Sequence, residues 1–357
     1  MKPLLFVTGN VPAYRVGALA RLHECEGIEV ALFGGRSLHG GPHFEGELPF
    51  PHRQVAPRGL QALASSGRHR AVVCPTGGRL APIATWSGAR RGGLPLILWA
   101  SLWAHPRTPA HALTYLPLRR LYRSADAVVT YGAHVSEYVR ARGARNVHVA
   151  PQSVDNAFWG SDEVSAPDPP AWPPQATTRF LFVGRQAPEK GLEFLLGAWR
   201  RAALSASEAA LALVGTGAGA SRAPAVLGLD PVDAERLRDL YAAADVLIVP
   251  SIETRTFREP WGLVVNEAMN RGLAVITSDA VGAAAGRLVR DGGNGLVVPA
   301  GDEPALARAI VLLAREPDLR ARLGAQGARD IEGFDHQAWA RGFSEALSSL
   351  GLARERC

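Results

Sequence analysis

Short runs of Val, Leu, Ile and Ala recur along the chain, separated by stretches with helical spacing. In the first half they fall at Leu4–Thr8, Ile28–Phe33, Ala71–Cys74, Leu96–Trp99, Ala127–Thr130 and Val147–Ala150. A second series follows at Phe180–Val183, Leu211–Val214, Ala225–Leu227, Val246–Val249, Ala274–Thr277 and Leu296–Val298. The runs are apolar throughout instead of alternating, so they predict strands buried on both faces, as in a parallel sheet covered by helices. In the second half, helical patterns intervene at Gly191–Leu204, Ala234–Ala244, Leu263–Asn270 and Pro304–Ala314. The class expected is α/β: two Rossmann-like, doubly wound domains facing across a cleft between the carboxyl ends of their sheets.

The segment VSAPDPPAWPPQATT, Val164 to Thr178, has five prolines and no periodicity, and reads as an extended interdomain linker. The expected division is residues 1–165, a linker over 166–178, a second domain over 179–335, and a C-terminal helix within 336–357 that crosses back to the first domain. A length of 357 residues suits two cores better than one. No period of 20 to 50 residues argues for a solenoid.

Composition adds little to the class and more to the chemistry. With 47% hydrophobic and 20% charged residues the chain reads as an ordinary globular protein. MKPLLFVTGN is too short for a signal peptide and reads as a first strand. The longest apolar stretch, Leu94 to Ala104, is broken by Pro95 and Ser101 and falls short of the ~20 residues that span a bilayer. Cys25, Cys74 and Cys357 are widely spaced and without a CxxC, which fits reduced thiols in a cytoplasm and suggests no structural zinc. Of the 39 basic residues only Lys2 and Lys190 are lysines. A lysine kept in so arginine-biased a chain points to a place where a compact ammonium is needed. Residues 1–170 hold 18 basic against 11 acidic side chains, so the basic excess lies in the first half and suits an anionic partner or membrane surface. Interleaved aromatics are lacking there, and nucleic acid is not expected as a partner.

Two motifs carry the chemistry. In FLFVGRQAPEKGLEFLLGAW a strand ends at Gly184, a loop presents Arg185, and Lys190 and Gly191 stand at a helix start. Two cations beside a helix start suit a diphosphate. In PSIETRTFREPWGLVVNEAMNRG the spacing Glu-x7-Glu sets Glu259 at a helix mouth and Glu267 in its second turn. Gly262 removes a side chain where backbone N–H groups approach a ligand, and carboxylates of this kind accept hydrogen bonds from vicinal sugar hydroxyls. Either motif alone is a common surface feature; their combination with a preceding strand is not.

With GLAVITSDAVG and DGGNGLVVPAGD, these motifs resemble the donor domain of the GT-B glycosyltransferases of family 4, a retaining group. The resemblance is dense from Phe180 to Leu313 and looser through SADAVVTYG and VAPQSVD. It implies a GT-B fold with an acceptor-binding first domain and a nucleotide-sugar-binding second domain. Catalytic roles fall to Arg185 and Lys190 on the donor diphosphate, Glu259 on the transferred sugar, and His105. The donor would also meet Gly184, Gly262, the amides of Leu263 and Val264, and Glu267 on its ribose. On the acceptor side stand Tyr14, Arg15 and His105, with His111 a neighbouring competitor. The chain departs from the family pattern at GNVPAYR after the first strand, at Arg287 where a glutamate is usual, and in the Arg-rich loop Thr254–Arg258.

No Asp-x-Asp occurs, so no metal is expected and no cofactor beyond the nucleotide sugar as co-substrate. The expected function is retaining transfer of a sugar to an acceptor hydroxyl on a glycan, a lipid-linked or a small-molecule acceptor. The alternatives are a sugar-nucleotide epimerase on the same fold or a nucleotide-sugar-binding protein without turnover. Arg119, Arg120 and Arg123, beside Leu116, Leu118 and Leu121, suggest a peripheral contact with anionic lipid at the inner face of the membrane. The run Gly215–Ala220 fits the dinucleotide pattern G-x-G-x-x-A. A strand-like run resumes at Val226, which leaves no room for the helix that pattern requires.

Overall fold

A computed structural model describes residues 1–34, 46–78, 80–163, 172–217, 223 and 225–354. Residues 166–171 of the proline-rich linker expected over 166–178 lie outside the described residues, as do residues 218–220 of the dinucleotide-like stretch. By contacts the chain forms two units, Met1–Asp155 with Phe334–Cys357, and Asn156–Gly333.

The strands of the first unit are β1 (Leu4–Thr8), β2 (Ile28–Leu32), β3 (His52–Gln54), β4 (Val72–Pro75), β5 (Leu96–Ala100), β6 (Ala127–Thr130) and β7 (Val147–Val149). They form one sheet in the order β3-β2-β1-β4-β5-β6-β7, with every pair parallel. Along β1, Leu4 and Phe6 enter one core and Leu5 and Val7 the other, as strand geometry requires of alternate residues. Helices α2 (Gly59–Ala64), α3 (Ala81–Arg91), α4 (Pro109–Ser124) and α5 (Ala133–Arg140) close one face; α1 (Ala13–Glu26) closes the other. The short β3 has no apolar signal: His52, Arg53 and Gln54 are all exposed on the sheet edge.

The second unit begins with α6 (Asn156–Gly160). Its strands are β8 (Thr178–Val183), β9 (Ala209–Val214), β10 (Val226–Leu229), β11 (Val246–Val249), β12 (Ala274–Ser278) and β13 (Leu296–Val298). They too are all parallel, in the order β10-β9-β8-β11-β12-β13. Its other helices are α7 (Leu192–Ala202), α8 (Ala234–Ala243), α9 (Val264–Asn270), α10 (Gly282–Ala285), α11 (Glu303–Arg315) and α12 (Pro317–Ile331). In both sheets the order reverses beside the first strand, between β1 and β4 and between β8 and β11, and ligands of such sheets bind at the carboxyl ends there.

One boundary differs from the sequence reading. Asn156–Glu163, assigned from sequence to the first domain, lies with the second unit. Arg271 donates to the Gly160 and Ser161 carbonyls, and Arg238 donates to the Glu163 carbonyl. The last helix, α13 (His336–Ser348), belongs to the first unit. Its Trp339, Phe343 and Leu347 are fully buried against Phe6, Leu19 and Leu22. Burying side chains of this size contributes about 1.5–3 kcal/mol each, enough to fix the helix.

Of the cysteines expected as thiols, Cys74 is free and buried in the first unit, and Cys357 lies outside the described residues.

Candidate active site

The site in the second unit is built on the loops that leave β8 and β11. After β8 the chain runs through Gly184 and Arg185 into a 3-10 turn, Pro188–Lys190, before α7. The turn uses its own amides, Lys190 N–H donating to the Ala187 carbonyl (2.9 Å) and Gly191 N–H to that of Pro188 (3.2 Å). These two amides therefore do not point to a ligand, and the chemistry of this segment rests on its side chains. Gly191 turns the chain at φ 68, and a Cβ there would lie 2.1 Å from the Pro250 carbonyl oxygen at the end of β11. Ile252 N–H donates to the Glu189 carbonyl (3.0 Å), joining the two loops a second time. Tight apposition of these loops is what brings Lys190 to Glu259.

Lys190 Nζ donates to Glu259 Oε2 at 2.5 Å, with the two side chains 22% and 10% exposed. Ser251 Oγ reaches the same carboxylate oxygen at 3.4 Å. Arg185 stands more openly and pairs with Glu189 at 2.7 Å. The two cations thus leave the same loop after β8, Lys190 the less exposed of the two and each paired with a carboxylate. Coulombic interactions there are stronger than between fully exposed groups.

Glu259 is fixed from behind. Gly282 N–H donates to the Glu259 carbonyl (3.1 Å) and Ala283 N–H to that of Trp261 (2.8 Å). A Cβ on Gly282 would fall 1.9 Å from the Pro260 carbonyl oxygen, so only glycine lets α10 lie against this segment. Gly262 follows at φ 93, and α9 starts at Val264 with Leu263 as its cap. Glu267 therefore belongs to the first turn and not the second. Buried Asn266 accepts from Trp261 Nε1 at 2.8 Å and ties the helix start to the Glu259 loop.

Glu267 is reached by Tyr241, whose buried hydroxyl donates to Oε2 at 2.8 Å. Part of the residue reaches solvent, but protein crowds its carboxyl, and desolvation raises its pKa to about 7 despite the tyrosine hydrogen bond. The group binds its proton more tightly folded than unfolded. Its contribution to stability is therefore complete below about 4.5 and is lost as pH rises through about 7. Glu267→Gln should flatten this dependence. Urea unfolding at pH 5.5 and 8 should show wild type losing on the order of 2 kcal/mol relative to the variant. Parallel pH dependence in both would contradict the assignment.

The other departures have structural accounts. Arg258 is engaged by Glu253 at 3.7 Å and by the Asp279 carbonyl at 3.4 Å, and Thr254 closes its loop on Phe257. Arg287 is exposed, at a left-handed φ of 67. Among the described residues, the next element after Gly215 and Gly217 is β10, which runs parallel to β9.

In the first unit, Tyr14 and Arg15 lie in the first turn of α1, after β1. Tyr14 is exposed, whereas Arg15 is 4% exposed and donates to Gln152 Oε1. His105 is half-buried: Nε2 meets the His111 carbonyl at 2.8 Å, and its ring lies edge-on to Tyr115. The competing His111 is engaged through Nδ1 by Thr108 Oγ1 at 2.7 Å. Ser251, Tyr241, Trp261 and Asn266 were missed from sequence. Each acts through a partner 5 to 26 positions away, which no local motif encodes. Among the described residues no group of three or more His, Cys, Asp or Glu is arranged to hold a metal ion.

The family described as glycosyl transferases group 1 matches residues 177–316. The chain is 30% identical over 296 residues to a D-inositol 3-phosphate glycosyltransferase of Streptomyces scabiei, covering 74% of this chain and 65% of that protein. It is 30% identical over 282 residues to a GDP-mannose-dependent alpha-mannosyltransferase of Mycobacterium tuberculosis, covering 75% and 69%. A phosphatidyl-myo-inositol mannosyltransferase of Mycobacterium leprae matches at 35% over 179 residues, 48% of this chain and 46% of that one. The chain thus spans less than two thirds of the length of the first and third of these relatives. In fold it is similar to a sucrose-phosphate synthase of Thermosynechococcus elongatus, with TM-score 0.74, 19% identity, and 98% of this chain and 99% of that one covered. It is likewise similar to the Anabaena HepE protein solved with UDP and glucose, with TM-score 0.72, 17% identity, and 98% and 100% covered. The protein belongs to the group 1 glycosyltransferases, family 4 of the GT-B fold.

Proposed function

We propose that the protein moves a glycosyl unit from a nucleoside-diphosphate sugar to an acceptor hydroxyl, with retention at the anomeric carbon and without a metal. The observation that carries this reading is the Lys190–Glu259 pair at the switch point between β8 and β11, with Arg185 on the same loop. As the bond from the anomeric carbon to the leaving oxygen breaks, negative charge gathers on the diphosphate. Lys190 and Arg185 are preorganised to meet that charge, where such groups act most strongly on the rate. Glu259 accepts hydroxyls of the transferred sugar, Glu267 those of the ribose, and the amides of Leu263 and Val264 cap the phosphates. The acceptor hydroxyl bonds to the anomeric carbon on the face the diphosphate leaves, and its proton passes to a leaving-phosphate oxygen. No protein base is needed for this step.

A transferase is favoured over an epimerase because the relatives are named as transferases, and over a turnover-free binder because Lys190 and Glu259 are both retained and paired. The donor panel to try starts with UDP and GDP sugars, the nucleotides named for the Anabaena structures and the mycobacterial relative. Free nucleoside diphosphate released only in the presence of an acceptor supports transfer; interconversion of the donor sugar without nucleotide release contradicts it.

The acceptor side adds a membrane proposal. The exposed stripe of α4 differs from the one read from sequence: Leu121 is buried and Leu118 and Arg119 are half-buried. Leu113 (81% exposed), Leu116 (68%), Pro117, Arg120 and Arg123 lie outward instead, at helical spacing. Apolar and cationic side chains on one stripe suit the interface of an anionic leaflet, where a lipid-linked acceptor would be met from the cytoplasmic side. No helix among the described residues is long and apolar enough to cross a membrane. In flotation with phosphatidylglycerol vesicles, Leu113→Asp with Leu116→Asp should lower binding at least about tenfold, since each leucine buried contributes about 1.5–3 kcal/mol. Equal binding of wild type and variant would contradict the proposal.

A further inference from the structure

Arg15 is a buried cation. Its side chain is 4% exposed, and among the described residues it enters no ion pair. Its guanidinium instead lies over three aromatic rings, with centroids at 5.2 Å for Tyr14, 5.2 Å for Trp99 and 5.3 Å for Trp339. Nη2 donates to Gln152 Oε1, whereas Nη1 is buried and meets no acceptor. Cation–π contacts offset only part of the cost of burying a guanidinium.

The same place holds two further unmet donors. Trp99 Nε1 and Trp339 Nε1 are buried with no acceptor, and the two indoles lie 5.8 Å apart at an interplanar angle of 80°. Guanidinium and indole N–H groups donate and cannot accept, so these three can be satisfied only by a group that brings acceptor oxygens. The fixed positive charge makes an oxyanion the best such group, and Arg is the side chain whose fork matches phosphate and carboxylate. Sequence position agrees. Arg15 follows β1, Trp99 is near the end of β5 and Gln152 follows β7, so the donors gather at the carboxyl ends of the first sheet, where ligands of doubly wound sheets bind.

We propose that Arg15, with the indole N–H groups of Trp99 and Trp339, is an oxyanion receptor that holds a phosphate or carboxylate carried by the acceptor. The assignment to the acceptor rests on the transfer reading above; the receptor itself does not. The GNVPAYR loop would then select acceptors that carry an anionic group near the reacting hydroxyl.

The test is a titration of the full chain with inorganic phosphate, followed by tryptophan fluorescence. A parallel titration of the Arg185→Ala, Lys190→Ala double variant excludes the donor loops. Phosphate should bind wild type and the double variant alike. Arg15→Met should weaken binding at least about tenfold, and Trp99→Phe, which keeps the ring and removes one N–H, by several-fold to about tenfold. If Arg15→Met fails to fold, judged by circular dichroism, Trp99→Phe carries the test. Undiminished phosphate binding in the folded variants, its loss in the double variant alone, or no binding by wild type would overturn the proposal. Repeating the titration with a hexose phosphate and with phosphatidylinositol vesicles separates a soluble anionic acceptor from a lipid head group. Arg15-dependence in either supports the receptor, and in neither overturns it. Because the readout is binding, it stands or falls separately from any failure to observe transfer.

Discussion

Replacing Lys190 with alanine should cut release of nucleoside diphosphate from the matched donor by about 10²-fold or more. The effect follows from where the ammonium sits. It is 2.5 Å from Glu259 Oε2 and 22% exposed, so the protein has already oriented it and removed much of its water before a donor arrives. A group organised in advance stabilises developing charge without reorganising during the reaction. Arg185, 47% exposed and paired with Glu189 at 2.7 Å, is less well prepared and should cost less when removed. Lys190→Arg should recover only part of the activity, because a planar fork does not replace a compact ammonium beside Glu259. Turnover by Lys190→Ala at the wild-type rate, measured at saturating donor, would refute the role.

The second large effect is structural. Gly191→Ala should lower stability by about 3 kcal/mol, combining a left-handed backbone costing ~1–2 kcal/mol for a non-glycine residue with an overpacking cost of ~1–3 kcal/mol. The new Cβ would lie 2.1 Å from the Pro250 carbonyl oxygen, a rigid neighbour. Relief can come only by parting the β8 and β11 loops, which separates Lys190 from Glu259 and should lower activity together with stability. Gly272→Ala is the control: it shares the left-handed geometry, at φ 70, but a Cβ there meets nothing within 4 Å. Scanning calorimetry should find Tm lowered by roughly 6–12 °C for Gly191→Ala and by a few degrees for Gly272→Ala. Equal shifts would mean that the contact with Pro250 does not hold the loops.

Much of this arrangement is legible in the sequence because its causes are local. Runs such as Val246–Val249 are apolar at every position since both faces of the sheet are covered, and they coincide with strands. The Lys190-Gly191 and Glu259 motifs lie in βα loops, where a strand end and a glycine define the geometry. The less legible parts depend on distant partners. β3 is polar and exposed, held by pairing with β2 and not by its own pattern. Tyr241 reaches Glu267 from α8, and no spacing in the sequence joins them. The outward face of α4 was half legible: Leu116, Arg120 and Arg123 are exposed, whereas packing buries Leu121 and Tyr122 and half-buries Leu118 and Arg119. The 3-10 turn Pro188–Lys190 before α7 was not foreseen, Lys190 having been read at the helix start, and the turn changes which donors remain for a phosphate.

The proposed mechanism requires the second unit to hold a nucleoside diphosphate through Lys190. Thermal denaturation of wild type and Lys190→Ala with UDP, GDP, ADP and dTDP tests it directly, because a ligand that binds only the folded state raises Tm with its concentration. One of these nucleotides should raise the wild-type Tm by several degrees, and the shift should largely vanish in the variant. No shift with any of the four, or the same shift in both proteins, would contradict the account.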